Sequence, residues 1–493
     1  MSEIVERFAR IRRDQPSRML IHVPSAGVSI SAQALWDEAM AYARALETLG
    51  VGADDLVVSA AGNRPGFVAL ILACRTLGAA IMPVDIGAPA SELRALAVRF
   101  GARFAVLQTA AIANDVGGSI QPFPGGLACA ALRDITPAPE VYRGAAVLKV
   151  TSGSTGLPKA TFTRESQILI DTIHIMTAMD IGANDTQIAV IPLSHAYGLG
   201  NLVIPLLVQG TPIVLRDAFV PQQLHADASH YRARAFPGVP FMFAHFAGNA
   251  GALPWPRGLE RLVSAGAPLD AATVRTFARA FGIKVHSFYG TSETGGISYD
   301  DSPDVEAAGT VGRALPDVII TLRADDGAPP GGGRVHVASA AVASGYAGSI
   351  GDGEGFTDDG FLTGDYGRYD ARGNLVLTGR ASSFINIAGK KVQPEEVERV
   401  LRGMPGIADV RVLGAADRAR GQQIVACIVA DGAPVTALAV RRFCAGQIAA
   451  YKVPRTIVFL DRIPLTDRGK TDRAALEARV RDQLDRTAES GVL

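Results

Sequence analysis

The chain has 493 residues, of which 48% are hydrophobic and 19% are charged, as in a globular protein with well-filled interiors. A chain of this length exceeds what one compact core fills, so we expect roughly two to four domains. Lys and Arg together number 48, as do Asp and Glu, so no net charge attracts nucleic acid or an anionic membrane surface.

The N-terminus and the cysteines predict a cytoplasmic protein with no membrane segment. Residues 1–20 are charged and lack the apolar core of a signal peptide. The longest apolar run, 67–84, is interrupted by Arg75 and is too short to span a bilayer. The cysteines are scattered without a CxxC pair, and we expect reduced thiols at Cys74, Cys129, Cys427 and Cys444.

Between about residues 30 and 330, strand-like apolar runs alternate with helical patterns. The first of these are a helix over 34–50, a buried strand over 55–61, a helix over 65–78 and a strand over 79–84. Alternation of this kind predicts βαβ units, in which helices cover parallel sheets.

Past residue 310 the pattern changes to short strands joined by glycine-rich turns, beginning with an antiparallel hairpin over 317–339. A new α+β pattern follows Arg380. Its elements are a helix over 393–406, strands over 407–417 and 422–431, and a helix over 436–448.

These patterns predict an α/β fold with two domains. The large N-terminal domain, 1–379, should contain helix-covered mixed sheets and a small β-barrel-like subdomain. A small mobile α+β domain should follow over 380–493.

The stretch "VTSGSTGLPKAT", residues 150–161, is rich in glycine and hydroxyl side chains and directly follows an apolar run. Backbone N–H groups in such a loop can converge on a phosphate. The pattern G-x-x-x-x-G-K-[ST] does not fit, because Pro158 replaces its second glycine and Ala160 follows Lys159. From these residues alone, the stretch is either a different phosphate loop with Lys159 at its rim or a surface turn.

Further motifs follow this loop along the chain. They are "PLSHAYGLG" (192–200), "SAGAPL" (264–269), "FYGTSETGG" (288–296), "GTVGRALP" (309–316), "LTGD" (362–365), "LTGR" (377–380), "GKKVQPEEVE" (389–398) and "YKVP…PLTDRGKTDR" (451–473). Together with "TSGSTGLPK", this series resembles the adenylate-forming superfamily of acyl-CoA synthetases, nonribosomal-peptide adenylation domains and firefly luciferase. The resemblance extends from Gly50 to Arg473, which is nearly the whole chain.

The resemblance implies an AMP-forming acid–thiol ligase. Such an enzyme joins a carboxylic acid to ATP, releases pyrophosphate and passes the acyl group from the acyl-adenylate to a thiol. Because an anionic carboxylate must attack an anionic phosphate, the reaction needs cations placed where charge develops. The implied requirements are ATP, Mg²⁺ and a thiol, either free CoA or the phosphopantetheine of a carrier protein.

The resemblance also implies roles for individual residues. Lys470 corresponds to the lysine that bridges the carboxylate and the α-phosphate, and Glu293 corresponds to the Mg²⁺ ligand. His195 corresponds to an aromatic gate beside the carboxylate, and Thr155 is also assigned to catalysis. Asp365 would accept hydrogen bonds from both ribose hydroxyls, since one carboxylate offers two oxygens. Taken singly, each charged residue could equally be a solvated surface side chain, and it is the ordered series of motifs that favours a site.

The ATP-binding residues implied by the resemblance come from five motifs. Among them, Tyr289 flanks the adenine, Ser292 stands where Thr is commoner beside the α-phosphate, and Arg380 reaches the ribose. The full set is Thr151, Ser152, Gly153, Ser154, Thr155, Gly156, Lys159, Gly266, Ala267, Pro268, Tyr289, Gly290, Thr291, Ser292, Asp365 and Arg380.

Besides Ser292, three positions depart from the family pattern. The hinge residue, two after Arg380, is usually Asp or Lys, but Ser382 occupies it here. Ser383 replaces a frequent Asp, so one anchoring charge is missing from a segment that must change backbone conformation when the small domain rotates. Ala160 replaces a frequent final glycine of the loop, and we expect no loss of function from that change.

The substrate motifs favour a simple carboxylic acid over an amino acid. Members that activate amino acids carry an Asp early in the motif at 192–200, where it pairs with the ammonium group, and this chain has no carboxylate there. The expected pocket suits an aryl acid or a medium-chain fatty acid, with a slight preference for aryl. Its walls are His195, Tyr197, Phe241, Met242, Ala265 and Gly290.

Three classes of function remain open. The first is an acyl- or aryl-CoA synthetase, and the second is a stand-alone ligase that loads a separate carrier protein, because no phosphopantetheine serine motif follows Lys470. The third, a nucleotide-binding regulator without turnover, is disfavoured because Lys470, Glu293 and Asp365 are all present. The expected partners are a small-molecule acid and, in the second class, a carrier protein. We expect a monomer or homodimer that binds neither nucleic acid nor membrane.

Overall fold

The computed structural model describes most of the chain. The described residues are 2–132, 134–136, 139–151, 159–251, 254–324, 328–347, 355–381, 385–387, 390–417, 421–432, 434–445, 447–448, 450–466 and 471–489. The predicted site residues 152–156, Ser382, Ser383 and Lys470 lie outside these ranges.

The described helices are, in chain order, α1 (Glu3–Asp14), α2 (Ala32–Thr48), α3 (Pro65–Leu77), α4 (Ala90–Arg99), α5 (Ala110–Val116), α6 (Glu165–Met179), α7 (Ala196–Gly198), α8 (Ile204–Gln209), α9 (Pro221–His230), α10 (Pro240–Gly248), α11 (Ala271–Phe281), α12 (Pro394–Arg402), α13 (Ala437–Ala445) and α14 (Arg473–Glu489). A π-helical turn, Leu199–Val203, joins α7 to α8.

The described strands are β1 (Met19–Val23), β2 (Val28–Ser31), β3 (Leu56–Ala60), β4 (Ala80–Pro83), β5 (Phe104–Leu107), β6 (Gly118–Pro122), β7 (Ala128–Leu132), β8 (Ala145–Thr151), β9 (Lys159–Arg164), β10 (Gln187–Ala189), β11 (Ile213–Leu215), β12 (Ala235–Gly238), β13 (Arg261–Ser264), β14 (His286–Thr291), β15 (Gly295–Tyr299), β16 (Arg313–Ala314), β17 (Ile319–Arg323), β18 (Gly332–Ala338), β19 (Tyr346–Ala347), β20 (Phe356–Thr357), β21 (Gly360–Tyr369), β22 (Leu375–Arg380), β23 (Ile385–Ile387), β24 (Lys390–Val392), β25 (Ile407–Asp417), β26 (Gly421–Ala430) and β27 (Thr456–Phe459).

The chain forms two compact units. The first comprises Met1–Thr321 and His336–Leu362, and the second comprises Leu322–Val335 and Thr363–Leu493. The chain passes from one unit to the other within β17, β18 and β21.

Two mixed sheets organise the first unit. One has the strand order β16–β15–β14–β13–β12–β10–β11–β1–β2, and the other has the order β19–β9–β8–β4–β3–β5–β7–β6. Helices cover these sheets, so the predicted α/β fold is confirmed. Adjacent residues of β3 show how the second sheet is buried: Val57 belongs to one hydrophobic cluster and Val58 to another. The sheet is therefore buried on both faces, as expected where helices cover parallel strands.

Helix α3 illustrates how closely the local pattern predicts an element. The pattern predicts a helix from Pro65 to Gly78, and α3 begins at Pro65 and ends at Leu77. Gly78 ends it with φ of 73°, a left-handed conformation that glycine adopts without a steric penalty. Every residue from Gly66 to Cys74 is buried, which explains why the sequence is apolar on all sides of the helix.

A buried carboxylate joins the N-terminus to α6. Glu165 accepts hydrogen bonds from Ser2 Oγ at 2.7 Å and from the Ile4 N–H at 3.2 Å. Its Oε2 also lies 2.8 Å from Arg75 Nε in an ion pair that is mostly buried. Three separate helices, α1, α3 and α6, therefore meet at one side chain.

The second unit contains an α+β arrangement with the strand order β24–β23–β26–β25, and β27 pairs with β26 in parallel. Strands β25 and β26, which the sequence predicts as strands, pair in the antiparallel sense, from Ile407 opposite Ala430 to Asp417 opposite Gly421. Helix α12 contributes Val397 and Leu401 to the hydrophobic cluster of this unit.

Candidate active site

The residues predicted to line the carboxylate pocket lie at one edge of the first sheet. Strands β14, β13, β12 and β10 are parallel neighbours, so their carboxyl ends meet at the same edge. Ligands of α/β sheets bind at this edge. The predicted wall residues follow these ends: His195 and Tyr197 after β10, Phe241 and Met242 after β12, Ala265 after β13 and Gly290 within the end of β14.

Tyr197 is the most firmly held of these residues. Its hydroxyl donates a hydrogen bond to the Val263 carbonyl at 3.0 Å, and its ring centroid lies 5.9 Å from that of Phe288. Burial raises the pKa of the Tyr197 hydroxyl well above its ordinary value, so the group stays a protonated donor. The Tyr197 side chain is therefore neutral, and both its hydroxyl and its ring are held by neighbouring groups.

His195 and Phe241 have accessible side-chain surface. The His195 side chain is 36% exposed, and its Nε2 lies 3.5 Å from Asp85 Oδ2. Phe241 is partly buried and stands edge-on to Phe219, with ring centroids 5.7 Å apart. In contrast, Met242 is buried in the core, which leaves little of its surface for a ligand.

The motifs predicted to contact adenine and the metal ion lie in β14, in the turn from β14 to β15, and just beyond β13. Tyr289 is buried in β14, while 266–268 are exposed just beyond β13, where Gly266 has φ of 83°. Glu293 lies in the turn between β14 and β15, and Tyr346 Oη donates a hydrogen bond to its Oε1 at 2.9 Å. The Glu293 carbonyl accepts a hydrogen bond from the Ala343 N–H at 2.7 Å.

Tyr346 also contacts the phosphate-loop motif. Strands β8 and β9 flank the loop, with Thr151 opposite Lys159, while residues 152–158 lie outside the described ranges. The Lys159 ammonium lies 5.2 Å from the centroid of the Tyr346 ring, a cation–π distance. One tyrosine therefore joins the lysine at the loop rim to the predicted metal ligand.

The oxygen atoms of this region fit Mg²⁺. Within the described ranges, no group of three or more His, Cys, Asp or Glu side chains could hold a metal ion alone. Mg²⁺ usually takes one or two carboxylates and completes its octahedron with water and substrate phosphates. Glu293, beside the strands that flank the loop, matches this requirement. Among the described residues only its Oε1 has a hydrogen-bond partner, so Oε2 is the oxygen that could bind a metal ion.

The second unit holds the predicted ribose-binding pair. Asp365 and Arg380 lie opposite each other in β21 and β22. Arg380 Nε donates a hydrogen bond to Asp365 Oδ1 at 2.6 Å; the Asp365 side chain is only 7% exposed, against 62% for Arg380. The arginine thus fixes the carboxylate while keeping much of its own surface in solvent.

The sequence did not single out Asp85 or Tyr346. The sequence does carry a signal for Asp85, because this residue comes two positions after the buried parallel strand β4. Residues that contact ligands occur at such positions. Tyr346 has no such signal, since its strand is only two residues long and its partners, Lys159 and Glu293, are distant in sequence.

Comparison with known proteins decides the family. Residues 7–347 match the family described as AMP-binding enzyme, and residues 396–470 match the AMP-binding enzyme C-terminal domain. The chain belongs to the AMP-binding enzyme family. This AMP-binding enzyme is 26% identical over 477 residues to feruloyl-CoA synthase from Amycolatopsis sp, with 93% of this chain and 96% of the relative covered. It is 28% identical over 494 residues to indoleacetate–CoA ligase from Aromatoleum aromaticum, with 95% of this chain and 96% of the relative covered.

The fold comparison agrees with this assignment. The AMP-binding enzyme resembles ATP-bound MatB from Rhodopseudomonas palustris with a TM-score of 0.84 and 25% identity, over 98% of this chain and 99% of the other. The predicted adenylate-forming superfamily and the enzyme class, an AMP-forming acid–thiol ligase, are confirmed. The family uses ATP, and its relatives join acids to CoA. Among the helices described, none is long and apolar enough to cross a bilayer.

Proposed function

We propose that this AMP-binding enzyme uses ATP and Mg²⁺ to activate an aryl carboxylic acid and then transfers the acyl group to CoA. The observation that carries the choice of acid is the aromatic lining after adjacent strand ends, where Tyr197, Phe241 and their ring partners lie. Aromatic rings favour stacked or edge-on contacts with another ring. The names feruloyl-CoA synthase and indoleacetate–CoA ligase support an aryl acid.

The proposed roles of the residues follow the chemistry of adenylation. Lys159 and the hydroxyl-rich loop hold the terminal phosphates, and the Asp365–Arg380 pair holds the ribose. Bound Mg²⁺, held by Glu293, would neutralise phosphate charge. Lys470 brings its ammonium between the carboxylate and the α-phosphate, two anionic groups that otherwise repel.

The small domain supplies Lys470 only in the adenylating arrangement. We propose a boundary at residue 380, with Ser382 as the hinge, so that rotation exchanges Lys470 for the 386–391 segment on the thiol path. A carrier-protein thiol is the alternative acceptor to CoA, and a medium-chain fatty acid is the alternative substrate.

We expect the purified protein to form AMP and pyrophosphate from ATP in the presence of Mg²⁺ and a benzoate-like acid. Adding CoA should yield the acyl-CoA thioester. The measurement is pyrophosphate release across a panel of aryl and alkyl acids, with CoA or a phosphopantetheinylated carrier protein as the acceptor. Formation of ADP and phosphate instead would exclude the proposed reaction. Turnover with carrier protein but not with CoA would reassign the acceptor.

Benzoate-like acids should react faster than any proteinogenic amino acid, by at least about 10²-fold, because burying an unpaired ammonium group costs several kcal/mol. The motif at 192–200 carries no carboxylate, but Asp85 lies close to His195 and is the group that could pair with an ammonium. Pyrophosphate release with matched pairs, such as phenylpropanoate and phenylalanine, measures the difference. Preference for phenylalanine would assign Asp85 to the ammonium and overturn the aryl-acid proposal.

A further inference from the structure

Two charged residues outside the predicted site lie on the elements that carry it. Lys149 is in β8, two residues before Thr151 and therefore on the same face of the strand. Asp171 is in α6, which packs against β8 and β15. Burial lowers the pKa of Lys149 and raises the pKa of Asp171, and the attraction between the two charges opposes both shifts. The two charges therefore attract each other, and this attraction offsets part of their desolvation.

The Asp171 carboxylate lies directly against the backbone that follows Glu293. Its Oδ1 accepts a hydrogen bond from the Gly296 N–H at 2.7 Å. Gly295 has φ of 72°, in the left-handed region. A Cβ atom at Gly295 would lie 2.3 Å from Asp171 Oδ1, so the carboxylate occupies the space that a side chain would need.

The same carboxylate also approaches the motif at 192–200. A Cβ atom at Gly200 would lie 3.5 Å from Asp171 Oδ2. Asp171 thus accepts a hydrogen bond from the backbone of one motif, lies near Gly200 of a second and attracts a charge in the strand that leads into a third. Such a position is suited to fixing the relative placement of the segments that surround a site.

The turn that carries Glu293 depends on few other contacts. Thr291 Oγ1 accepts a hydrogen bond from the Thr294 N–H at 3.2 Å, and Thr294 Oγ1 donates to the Gly295 carbonyl at 3.0 Å. Apart from these internal bonds and the pairing of Thr291 with Gly295 in the β14–β15 ladder, two other described residues hold the main chain of the turn: the Ala343 N–H donates to the Glu293 carbonyl, and Asp171 accepts from the Gly296 N–H at the C-terminal end.

We propose that Asp171 is a positioning residue for Glu293, and that its hydrogen bond to the Gly296 N–H fixes the 291–295 turn and thereby sets the affinity for metal–ATP. Lys149 supplies an opposite charge that attracts this partly buried carboxylate. The inference rests on the proposed function, in which Glu293 holds the metal.

Three variants separate this role from a general effect on stability. Asp171→Ala removes the acceptor, and Asp171→Asn keeps an oxygen acceptor of the same size. Glu165→Gln is the matched control, because Glu165 is another partly buried, hydrogen-bonded carboxylate of α6. Its carboxylate contacts the N-terminus and Arg75 and not the 291–295 turn. The probe is Mn²⁺ with a non-hydrolysable ATP analogue, followed by electron paramagnetic resonance, together with thermal unfolding of each variant.

Asp171→Ala should weaken Mn²⁺ binding in the presence of the analogue by about 10-fold or more, the size typical of outer-shell substitutions at metal sites. Binding of the analogue without metal should change much less. Asp171→Asn should restore Mn²⁺ affinity to within about threefold of wild type, because it keeps the hydrogen bond at a lower strength. Glu165→Gln should lower the unfolding temperature but leave Mn²⁺ affinity unchanged.

Equal Mn²⁺ affinity in wild type and Asp171→Ala would overturn the inference and leave the proposed function intact. An Asp171→Asn variant as weak as Asp171→Ala, or a Glu165→Gln variant as weak as either, would also overturn it, because charge or stability would then explain the loss. If wild type bound no Mn²⁺ with the analogue, the assignment of Glu293 to the metal would fail first, and the inference would fail with it.

Discussion

Lys470→Ala should lose adenylation by about 10²-fold or more while keeping thioester formation, because one preorganised charge contributes several kcal/mol in a water-poor site. The ammonium is needed only when carboxylate and α-phosphate approach each other. Pyrophosphate release measures the first half-reaction, and supplying synthetic acyl-adenylate with CoA measures the second. The variant should catalyse the second half-reaction at nearly the wild-type rate.

Two further variants separate a catalytic role of Lys470 from a structural one. Arg473→Ala removes a positive charge three residues away, from a solvent-exposed ion pair with Glu477, and should leave both half-reactions unchanged. Ser382→Pro restricts the proposed hinge and should favour one half-reaction over the other by trapping one arrangement. Equal damage to both half-reactions in Lys470→Ala would mean that the lysine is structural or that the domain does not rotate.

Glu293→Gln should reduce adenylation by about 10²-fold and raise the Mg²⁺ concentration needed for half-maximal activity, because an amide oxygen is a much weaker ligand than a carboxylate. The substitution keeps an oxygen that can accept the hydrogen bond from Tyr346, so the local geometry should survive. The measurement is pyrophosphate release as a function of Mg²⁺ concentration at fixed ATP.

Glu306→Gln is the matched control for this variant. Glu306 is an exposed residue of the same unit, and its side chain makes no hydrogen bond among the described residues. It should behave as wild type at every Mg²⁺ concentration. A Glu293→Gln variant with the wild-type Mg²⁺ dependence would remove Glu293 from the metal site and limit it to a structural role with Tyr346.

Local signals were sufficient to predict much of the fold. Pro65 and Gly78 mark the two ends of α3 because each acts through its own backbone geometry, which needs no partner elsewhere in the chain. The strands β25 and β26 were predictable for a similar reason, since alternation and length are properties of a single segment.

The contacts of the site join segments that are far apart along the chain, so the sequence carries weaker signals for them. Asp171 meets Gly296 across 125 residues, and His195 meets Asp85 across 110. No local period encodes such a meeting, because the partners belong to separate elements, α6 and β15 in the first pair and the segments after strands of two different sheets in the second. Met242 shows the same limit, because an apolar residue after a strand end can face either a pocket or the core, and here it faces the core.

The bond between Ser2 and Glu165 has a consequence for synthesis of the protein. The two residues are 163 positions apart, so α1 cannot reach its anchor on α6 until that helix has left the ribosome. Ile4, Val5 and Phe8, which are buried in the finished fold, therefore lack the part of their cover that α6 and α8 supply until both helices have been made. Of the described helices, α1 comes earliest in the chain but is among the later ones to be secured, and during that interval the nascent chain presents a surface that chaperones can bind.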